Sequence, residues 1–489
     1  MDTFFKIEKQ VKILLVCFVI IVATVILFIP VFLIISVIRA LVWTFAKIFR
    51  PDLDGFVDGQ NSLHALKFSN KATTNIVICA ILEGQIPLEI IRKNVQEKLF
   101  PSESPANLSY KVFKNTWTNF MGWAFWKRDL DFDFRNHIRD YDYEGKLAIP
   151  NPCNEEDFRN VLGKIVQAPW DRERSPWEIL RVPNFLYNGC KNSMIVIRVE
   201  HVLGDGYSIL DTIKTITGSE FPVPKLSLLS KKLSFWDKIG KFLRTPYDLA
   251  ENILMIVESK SKFVNQGRLE TEEIVSIAPK VDVGLLKKIK NHFRVSYVSV
   301  TYAAIAGAIE RALKEDGQKI PKTLITSIIL PRPNHPGGMC SQFSVVVVEV
   351  PISGGSPIQR LRQIEKNFED ICQSSAVIGY SIITIVSGYF PVFLRRIIIR
   401  STLGLGVMSC CSNFPTTTAP DYFEGHEILG LFMGVGNVGP LGLMVSTCGM
   451  NNKQVFNFNI RKNLFSSDAA ARNLGLYVTQ ELELLGSAF

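Results

Sequence analysis

The chain has 489 residues, a formal net charge of +9 and an apolar content of 47%, which is high for a soluble protein. This length accommodates about two to four domains. Basic chains often bind nucleic acid, but there is no zinc-finger spacing, RNP-like aromatic motif or arginine-rich tract. We therefore predict no nucleic-acid partner, and the charge instead favours anionic lipid surfaces and small phosphorylated ligands.

The first predicted element is an apolar helix at the N-terminus. Ile13 to Ile38 contain no charged side chain and are long enough to cross a bilayer. Pro30 is expected to kink the helix, as membrane helices tolerate, and Trp43 to lie at the interface. We predict a membrane anchor over residues 1–55, with a hairpin folded around Pro30 as the alternative. A cleaved signal peptide is disfavoured, because the apolar run is too long and lacks a small-residue cleavage site.

The cysteines and histidines bear on the compartment and on metal binding. Nine cysteines are scattered along the chain without a CxxC pair, which is typical of a reducing, cytosol-facing protein. The six histidines are widely spaced and form neither HxxxH nor HExxH, so we predict no metal site. The basic residues on the two sides of the anchor are balanced and do not indicate its orientation.

Residues 56–222 are predicted to form a first α/β half. Runs of apolar, β-branched residues predict buried strands, and stripes of apolar residues at helical spacing predict helices. The predicted elements are strands Asn75–Leu82 and Met194–Val199 and helices Pro87–Leu99, a segment capped by Asn154, and Tyr207–Ile216.

Residues 223–272 interleave lysine and arginine with large apolar side chains. This basic amphipathic pattern predicts a linker that lies on a membrane surface. A solvated connecting helix is the alternative.

Residues 273–489 are predicted to form a second α/β half. The segment Ile382–Leu403 is very apolar but carries Arg395, Arg396 and Arg400, which favours a membrane-surface or buried amphipathic helix over a second span. The other predicted elements are helices Leu285–Phe293, Val298–Leu313, Pro357–Cys372 and Ser467–Leu485, strands Leu324–Leu330 and Phe343–Val350, and a hairpin of Leu441–Thr447 and Gln454–Ile460.

A GxGxxG pattern occurs at Gly434, Gly436 and Gly439. A dinucleotide site needs a helix to begin there, whereas Pro440 and a strand-like run follow, so we predict no nucleotide site. Neither a GxSxG elbow nor a Walker A sequence is present.

The candidate reactive residue is His201, which follows the core strand and precedes a turn at Gly204 and Gly206. Such junctions hold a side chain rigidly while leaving it open to a substrate. A neutral imidazole can take a proton from an alcohol and return it to a leaving thiolate. Asp205, in the same turn, is expected to pair with an arginine or to accept backbone N–H bonds. The alternative is a core histidine beside an ordinary Asp-Gly turn.

The stretch from Glu200 to Gly206, EHVLGDG, resembles the HHxxxDG motif of the wax ester synthase/diacylglycerol acyltransferase family, within the wider CoA-dependent acyltransferase group. Glu200 stands where the family has its first histidine, while His201, the catalytic one, is retained with Asp205 and Gly206. Over roughly residues 56–489, further segments resemble the family's in the same order: Phe132-Asp133-Phe134 with His137, Ser175-Pro176-Trp177-Glu178, Ser299–Leu313, Leu330-Pro331-Arg332, Ser412-Asn413-Phe414-Pro415, and Pro440–Leu443 with Asn451-Asn452.

The resemblance implies two chloramphenicol-acetyltransferase-like α/β halves with mixed sheets that meet at a tunnel. It implies a membrane-bound O-acyltransferase that moves a long-chain acyl group from acyl-CoA, a co-substrate rather than a bound cofactor, to a long-chain alcohol or diacylglycerol. In this view His201 is the general base, Asp205 is structural, Glu200 polarises the site or replaces a dispensable histidine, and Gly204, Gly206, Asn413 and Pro415 support the motif.

The resemblance also leaves alternatives open. Glu200, and Thr416 in place of a family glycine, are departures that favour a lipid-binding or scaffolding protein with weakened activity. A sterol or an amine is another possible acceptor. The expected location is the membrane of the endoplasmic reticulum or a lipid droplet, with a single span and with the catalytic halves facing the cytosol.

Overall fold

Two large mixed β-sheets, one small sheet and the helices around them organise the chain. We describe the protein from a computed structural model, over residues 2–66, 74–101, 110–218, 234–259, 273–332, 335–436 and 441–488. The strands are β1 Leu53–Phe56, β2 Asn75–Leu82, β3 Asn115–Phe120, β4 Trp123–Arg128, β5 Ile138–Asp140, β6 Trp177–Tyr187, β7 Cys190–Glu200, β8 Ile274–Ile277, β9 Lys280–Asp282, β10 Thr323–Pro331, β11 Phe343–Pro351, β12 Ser409–Thr416, β13 Tyr422–Phe423, β14 His426–Val435, β15 Leu443–Met450 and β16 Lys453–Arg461.

The helices follow in the same order. The N-terminal rod is α1 Asp2–Val22, a π-helical turn Ala23–Phe28 and α2 Ile29–Phe49. The others are α3 Leu88–Leu99, α4 Phe134–His137, α5 Glu155–Gln167, α6 Gly206–Thr217, α7 Phe235–Glu258, α8 Val283–Phe293, α9 Tyr297–Glu315, α10 Pro357–Gln373, α11 Ala376–Ser387, α12 Val392–Gly404, α13 Asp468–Arg472 and α14 Leu474–Gly486, with 3₁₀ turns at Gly59–Leu63, Lys111–Lys114 and Gly145–Leu147.

The N-terminal sheet has the strand order β13-β14-β2-β7-β6-β5, with β5 and β6 parallel and the other pairs antiparallel. Strands β2 and β7 are its centre, and Asn75 lies opposite Glu200. Seven of the eight residues of β2 are buried, as expected for an almost unbroken apolar run covered on both faces. The register therefore places the end of β7, and the histidine that follows it, beside the start of β2.

The C-terminal sheet has the order β11-β10-β12-β15-β16-β8, and β9 also pairs with β16. Its parallel pairs are β10–β12 and β12–β15. Strand β14 belongs to the second half in sequence but pairs with β2 in the N-terminal sheet, with Val435 opposite Ile76. The pairing of β14 with β2 links the two halves. The predicted division of the chain at residues 222 and 273 does not include this exchange of a strand.

The N-terminal rod is one helix that runs through Pro30, so the hairpin alternative is wrong. Proline lacks an N–H and crowds the preceding turn. The rod adapts through the π-helical turn, in which the N–H of Ile29 donates to the carbonyl of Thr24, five residues earlier. Residues Lys6–Phe49 are long and apolar enough to cross a membrane, and 6% of their most apolar window is buried inside the protein.

The rod contacts the rest of the protein near its start and near its middle. Near its start, Tyr247 of α7 donates to Gln10 at 2.9 Å. Near its middle, the ring of Phe28 meets that of Phe390 edge-on, with centroids 5.8 Å apart. One part of helix α7, which lies within the predicted linker, packs between α1 and α11. Its N-terminal part remains open, and Trp236 is 76% exposed.

The single helix predicted over Ile382–Leu403 is wrong. Two helices, α11 and α12, are separated at Gly388–Pro391, since proline cannot continue a helix that precedes it. Arg395 is 1% exposed and donates to the carbonyl of Ser62, so its charge does not face lipid. The predicted helix Ser467–Leu485 is likewise two helices, α13 and α14. The other predicted strands and helices are confirmed to within a few residues at their ends.

Candidate functional site

His201 lies at the junction of β7 and α6, as the sequence predicts. Its backbone N–H donates to the carbonyl of Thr74 at 2.7 Å, which extends the β2–β7 pairing by one residue. The turn ends at Asp205, whose carboxylate caps α6 by accepting the N–H of Ser208 at 2.8 Å. The histidine therefore lies at the end of the central strand pair of the N-terminal sheet.

The two motif glycines allow the second half of the chain to pack directly on this turn. A Cβ atom on Gly206 would lie 2.5 Å from Cζ of Phe414, and one on Gly204 would lie 3.0 Å from Cε of Met339. Any side chain at Gly206 would therefore displace the phenylalanine that follows Asn413.

Asp205 ties the turn to the loop before β11. Its Oδ2 accepts the backbone N–H of Gln342 at 2.8 Å and lies 3.2 Å from Nε2 of His335. Burial opposes ionisation of Asp205, but its bonds from His335 and from backbone N–H groups outweigh this, and the pKa of Asp205 is lowered. Burial also opposes protonation of His335, yet its hydrogen bond to Asp205 raises the pKa of His335 to about 9.

Of the two arrangements expected for Asp205, the structure shows the second, in which its carboxylate accepts backbone N–H bonds through both oxygens. Its ionisable partner is His335 and not an arginine.

The ring of His201 is stacked on a second histidine. The centroids of His64 and His201 are 3.8 Å apart and their planes are inclined by 12°. Nδ1 of His201 is buried and has no hydrogen-bond partner among the described residues. Burial lowers the pKa of His201, and the charge of Asp205 offsets this only in part. The imidazole is therefore neutral near pH 7, the state that a general base requires.

Glu200, in the place of the family's first histidine, is held by the small sheet. Its Oε2 accepts the indole N–H of Trp117 at 2.8 Å. This bond satisfies a carboxylate oxygen at the edge of the site.

Asn413 and Pro415 lie across from the turn, at the end of β12. With Asp205, Gly206 and Tyr207, among others, they line a cavity of about 420 Å³. Oδ1 of Asn413 accepts the hydroxyl of Thr447 at 3.0 Å. The structure thus brings the two predicted motifs, EHVLGDG and SNFP, to one place from opposite halves.

A larger, almost entirely apolar cavity adjoins this one. It has an empty volume of about 1000 Å³, counting the space at its mouth, and shares Leu210 and Phe414 with the smaller cavity. Its walls are the face of the N-terminal sheet and helices α3 and α6: residues on that face include Ile78, Ala80, Leu82, Ile179, Ile195 and Ile197. Alternate residues of a strand point to one face, so the apolar runs of β2 and β7 create this lining.

Two of the family-like segments meet beside β7. The ring of His137 stacks on that of Trp177, with centroids 4.5 Å apart. Next to them, Glu178 forms a buried ion pair with Arg198 at 2.9 Å. Burial opposes ionisation of Glu178, but the charges of Arg198 and Arg139 outweigh it and lower its pKa. These segments therefore brace the strand that carries His201 and lie outside the two cavities described above.

Sequence reasoning missed His64 and His335. Each is an isolated histidine without a recognisable motif, in the segments DGQNSLHAL and PRPNHPGG. Both are more than 120 residues from His201 in the chain, and only tertiary packing brings them to the site. The one available signal was that these are two of just six histidines.

The fold and the site together define the class of the protein. Two mixed α/β halves, joined by an exchanged strand, form the fold of the chloramphenicol-acetyltransferase-like acyltransferases. A solved wax ester synthase/diacylglycerol acyltransferase from Marinobacter aquaeolei VT8 matches 89% of this chain and 99% of its own, with a TM-score of 0.58 and 16% identity. A trichothecene 15-O-acetyltransferase from Fusarium sporotrichioides matches 88% of this chain and 95% of its own, with a TM-score of 0.57 and 10% identity.

Sequence comparisons identify the family. The model of the wax ester synthase/diacylglycerol acyltransferase catalytic domain matches residues 94–227, and that of the WS/DGAT C-terminal domain matches residues 340–484. A putative diacylglycerol O-acyltransferase from Mycobacterium tuberculosis is 22% identical over 370 residues, 67% of this chain and 68% of the relative. A probable diacylglycerol O-acyltransferase from the same species is 20% identical over 403 residues, 75% and 81% of the two chains. The chain belongs to the wax ester synthase/diacylglycerol acyltransferase family and is an O-acyltransferase by family.

Proposed function

We propose that this protein transfers a long-chain acyl group from acyl-CoA to the hydroxyl of a long-chain alcohol or of diacylglycerol, with His201 as the general base. The observation that carries the proposal is the position of His201 on a strand end, in the same turn as Asp205. Asp205 lines a cavity that shares Leu210 and Phe414 with the large apolar one. A polar reacting centre beside an apolar cavity is what a lipid substrate with one reactive hydroxyl requires.

The chemistry needs one proton carrier. Because Nδ1 of His201 is buried, Nε2 is the nitrogen that receives the hydroxyl proton of the acceptor. The acceptor oxygen then bonds to the thioester carbonyl carbon, the carbon–sulfur bond breaks, and the departing thiolate takes the proton from Nε2. Asp205 holds the turn and the loop before β11 in place during this exchange. No covalent enzyme intermediate is involved.

The lining of the larger cavity supports a lipid chain as the occupant, because almost all of its surface is apolar. Burial of each CH₂ group in an apolar site contributes about 0.8 kcal/mol, so long chains gain most from it.

Membrane association is the second part of the proposal. The N-terminal rod exposes large apolar side chains along most of its length, Phe18 at 65% and Leu33 at 60% among them. Contact with lipid would remove this surface from water. Because the rod packs against α7 and Phe390, it holds the catalytic body close to the bilayer in which its substrates dissolve. We place the protein in the endoplasmic reticulum or lipid droplet membrane, with its body facing the cytosol.

The two departures from the family pattern are accommodated without disrupting the site. Glu200 accepts a hydrogen bond from Trp117, and the hydroxyl of Thr416 donates to Oε1 of Gln454 at 2.8 Å. Neither substitution leaves a strained or unpartnered group at His201. A scaffolding protein that binds lipid without acyl transfer remains the competing function.

The experiment is an acyl-transfer assay with the full-length protein in detergent or in isolated membranes. Labelled long-chain acyl-CoA is offered with a long-chain alcohol, diacylglycerol, a sterol and an amine, and the products are separated by chromatography. We expect a labelled ester with the alcohol or with diacylglycerol. Labelled acyl-CoA that is bound but not consumed with any acceptor would contradict acyl transfer and favour the scaffolding function.

A further inference from the structure

His64 lies against the proposed base but belongs to none of the motifs of the family. It follows the 3₁₀ turn Gly59–Leu63, immediately after the membrane rod and β1. Its ring covers one face of the His201 ring at a centroid distance of 3.8 Å, nearly parallel to it. Its Nε2 is buried and has no hydrogen-bond partner among the described residues.

The turn that carries His64 is held by both halves of the protein. Asn61 donates to the carbonyl of Val202 at 2.7 Å and accepts the N–H of Ser341 at 3.0 Å. Gln60 donates to the carbonyl of Phe343 at 2.8 Å and accepts its N–H at 2.9 Å. These four bonds tether the turn to the backbone on either side of the site, so the position of the His64 ring is fixed relative to His201.

The base is oriented by its own turn and by packing. A catalytic imidazole is usually held by a hydrogen bond from a ring N–H to a carboxylate or a carbonyl, and backbone groups of His201 and Gly204 interact with the ring and raise its pKa. The carboxylate of Asp205 is occupied by Ser208, Gln342 and His335 and does not hold the ring. The stacked face of His64 adds a flat surface that restricts rotation of the His201 ring.

We propose that His64 is a positioning residue for His201: its stacked ring holds the imidazole in the plane from which Nε2 reaches the acceptor hydroxyl, and its π-face stabilises the imidazolium that forms when the proton is taken. This inference rests on the proposed acyl transfer. It requires His64 to remain neutral; burial lowers the pKa of His64 well below the usual range, and His201 lowers it further once it is protonated. His64 does not itself carry a proton in this role.

Two variants of similar side-chain volume test the proposal. His64→Phe keeps a flat aromatic face but has no nitrogen, whereas His64→Leu fills the space without such a face. We expect His64→Leu to lower kcat about 10-fold or more while KM for the acceptor changes less than 3-fold, because a misplaced base and a lost cation–π contact act on the transition state. We expect His64→Phe to keep at least about a third of the wild-type kcat.

Steady-state rates are measured on full-length protein whose thermal melt shows that it is folded. His292→Ala, which alters an exposed histidine on α8, is the matched control. A His64→Leu enzyme with more than half of the wild-type kcat would overturn the proposal. A His64→Phe enzyme as slow as the leucine variant would also overturn it, because His64 would then act through its nitrogen and not through its flat ring. His201→Ala is assayed in parallel: activity retained there contradicts the proposed function itself, whereas loss there with normal His64 variants contradicts only the role of His64.

Discussion

The Asp205–His335 pair makes a quantitative prediction about stability and pH. In Asp205→Asn the cap on Ser208 is kept by the remaining oxygen, but the charge that faces His335 and the bond from the N–H of Gln342 are lost. The pKa of His335 is about 9 in the folded protein, against about 6.5 in an unfolded chain. A raised pKa means that the pair stabilises the fold fully below about pH 6.5 and loses this contribution as the pH rises through 9.

The shift of about 2.5 pKa units corresponds to about 3 kcal/mol at 1.36 kcal/mol per unit, and this is an upper limit for the pair. Cys340 also raises the pKa of His335, and protonation of Nδ1 removes the bond that it accepts from the N–H of Gly337. At about 2 °C per kcal/mol for a protein of this size, Asp205→Asn should lower Tm by up to roughly 6 °C at pH 6.5 and by clearly less at pH 9.5.

The assay is thermal unfolding of the detergent-solubilised protein between pH 6 and 9.5, followed by fluorescence. Asp171→Asn is the matched control, since Asp171 forms an exposed ion pair with Arg174 that contributes less than about 1 kcal/mol. A Tm that falls equally at pH 6.5 and 9.5 would refute the ion-pair reasoning and leave Asp205 as a cap alone. An unchanged Tm with a large fall in turnover would instead give Asp205 a direct chemical role.

Three further predictions concern Glu200, the apolar cavity and topology. Glu200→Ala should reduce kcat/KM less than His201→Ala does, because Glu200 is held by Trp117 and lies outside the proposed path of the proton. A larger loss of kcat/KM in Glu200→Ala than in His201→Ala would make Glu200 the principal catalytic group. Ile197→Trp should reduce transfer of long chains more than of short ones, because Ile197 lines the apolar cavity, whereas Ile197→Val should leave chain-length preference unchanged; an equal loss for all lengths would contradict a chain in that cavity. Asn107, in the only N-x-S/T sequon of the sequence, lies outside the described residues. If the body faces the cytosol, we expect no glycosidase-sensitive mobility shift in animal cells, and protease added to sealed microsomes should digest the body. A mobility shift that Asn107→Gln abolishes would place the body in the lumen.

Local signals were sufficient for most elements of the fold. The apolar run Asn75–Leu82 is a strand over the same residues, and Asn154 caps α5 with a full capping box. The prediction of one helix over Ile382–Leu403 was wrong because it followed the apolar pattern alone. Gly388 and Pro391, which are residues that typically end a helix, separate the two observed helices.

Contacts between residues that are distant in the sequence could not be predicted from local sequence patterns. Nothing in the segment His426–Val435 distinguishes a strand of the first sheet from one of the second, because its pairing with β2 is a choice among distant partners. The same holds for the site. The resemblance located His201, Asp205 and Asn413, whereas the stacking of His64 and the pairing of His335 exist only once both halves have packed on the Gly204–Gly206 turn.

The central claim is that His201 is the general base of acyl transfer, and the rate of His201→Ala tests it most directly. Initial rates of labelled ester formation are compared for wild type, His201→Ala and His292→Ala in membranes that contain equal amounts of protein. Removal of a general base typically lowers the rate about 100- to 10,000-fold, so we predict near-complete loss of ester in His201→Ala, normal membrane association, and an unchanged rate in the control. A His201→Ala protein that retained more than about a tenth of the wild-type rate would contradict the mechanism.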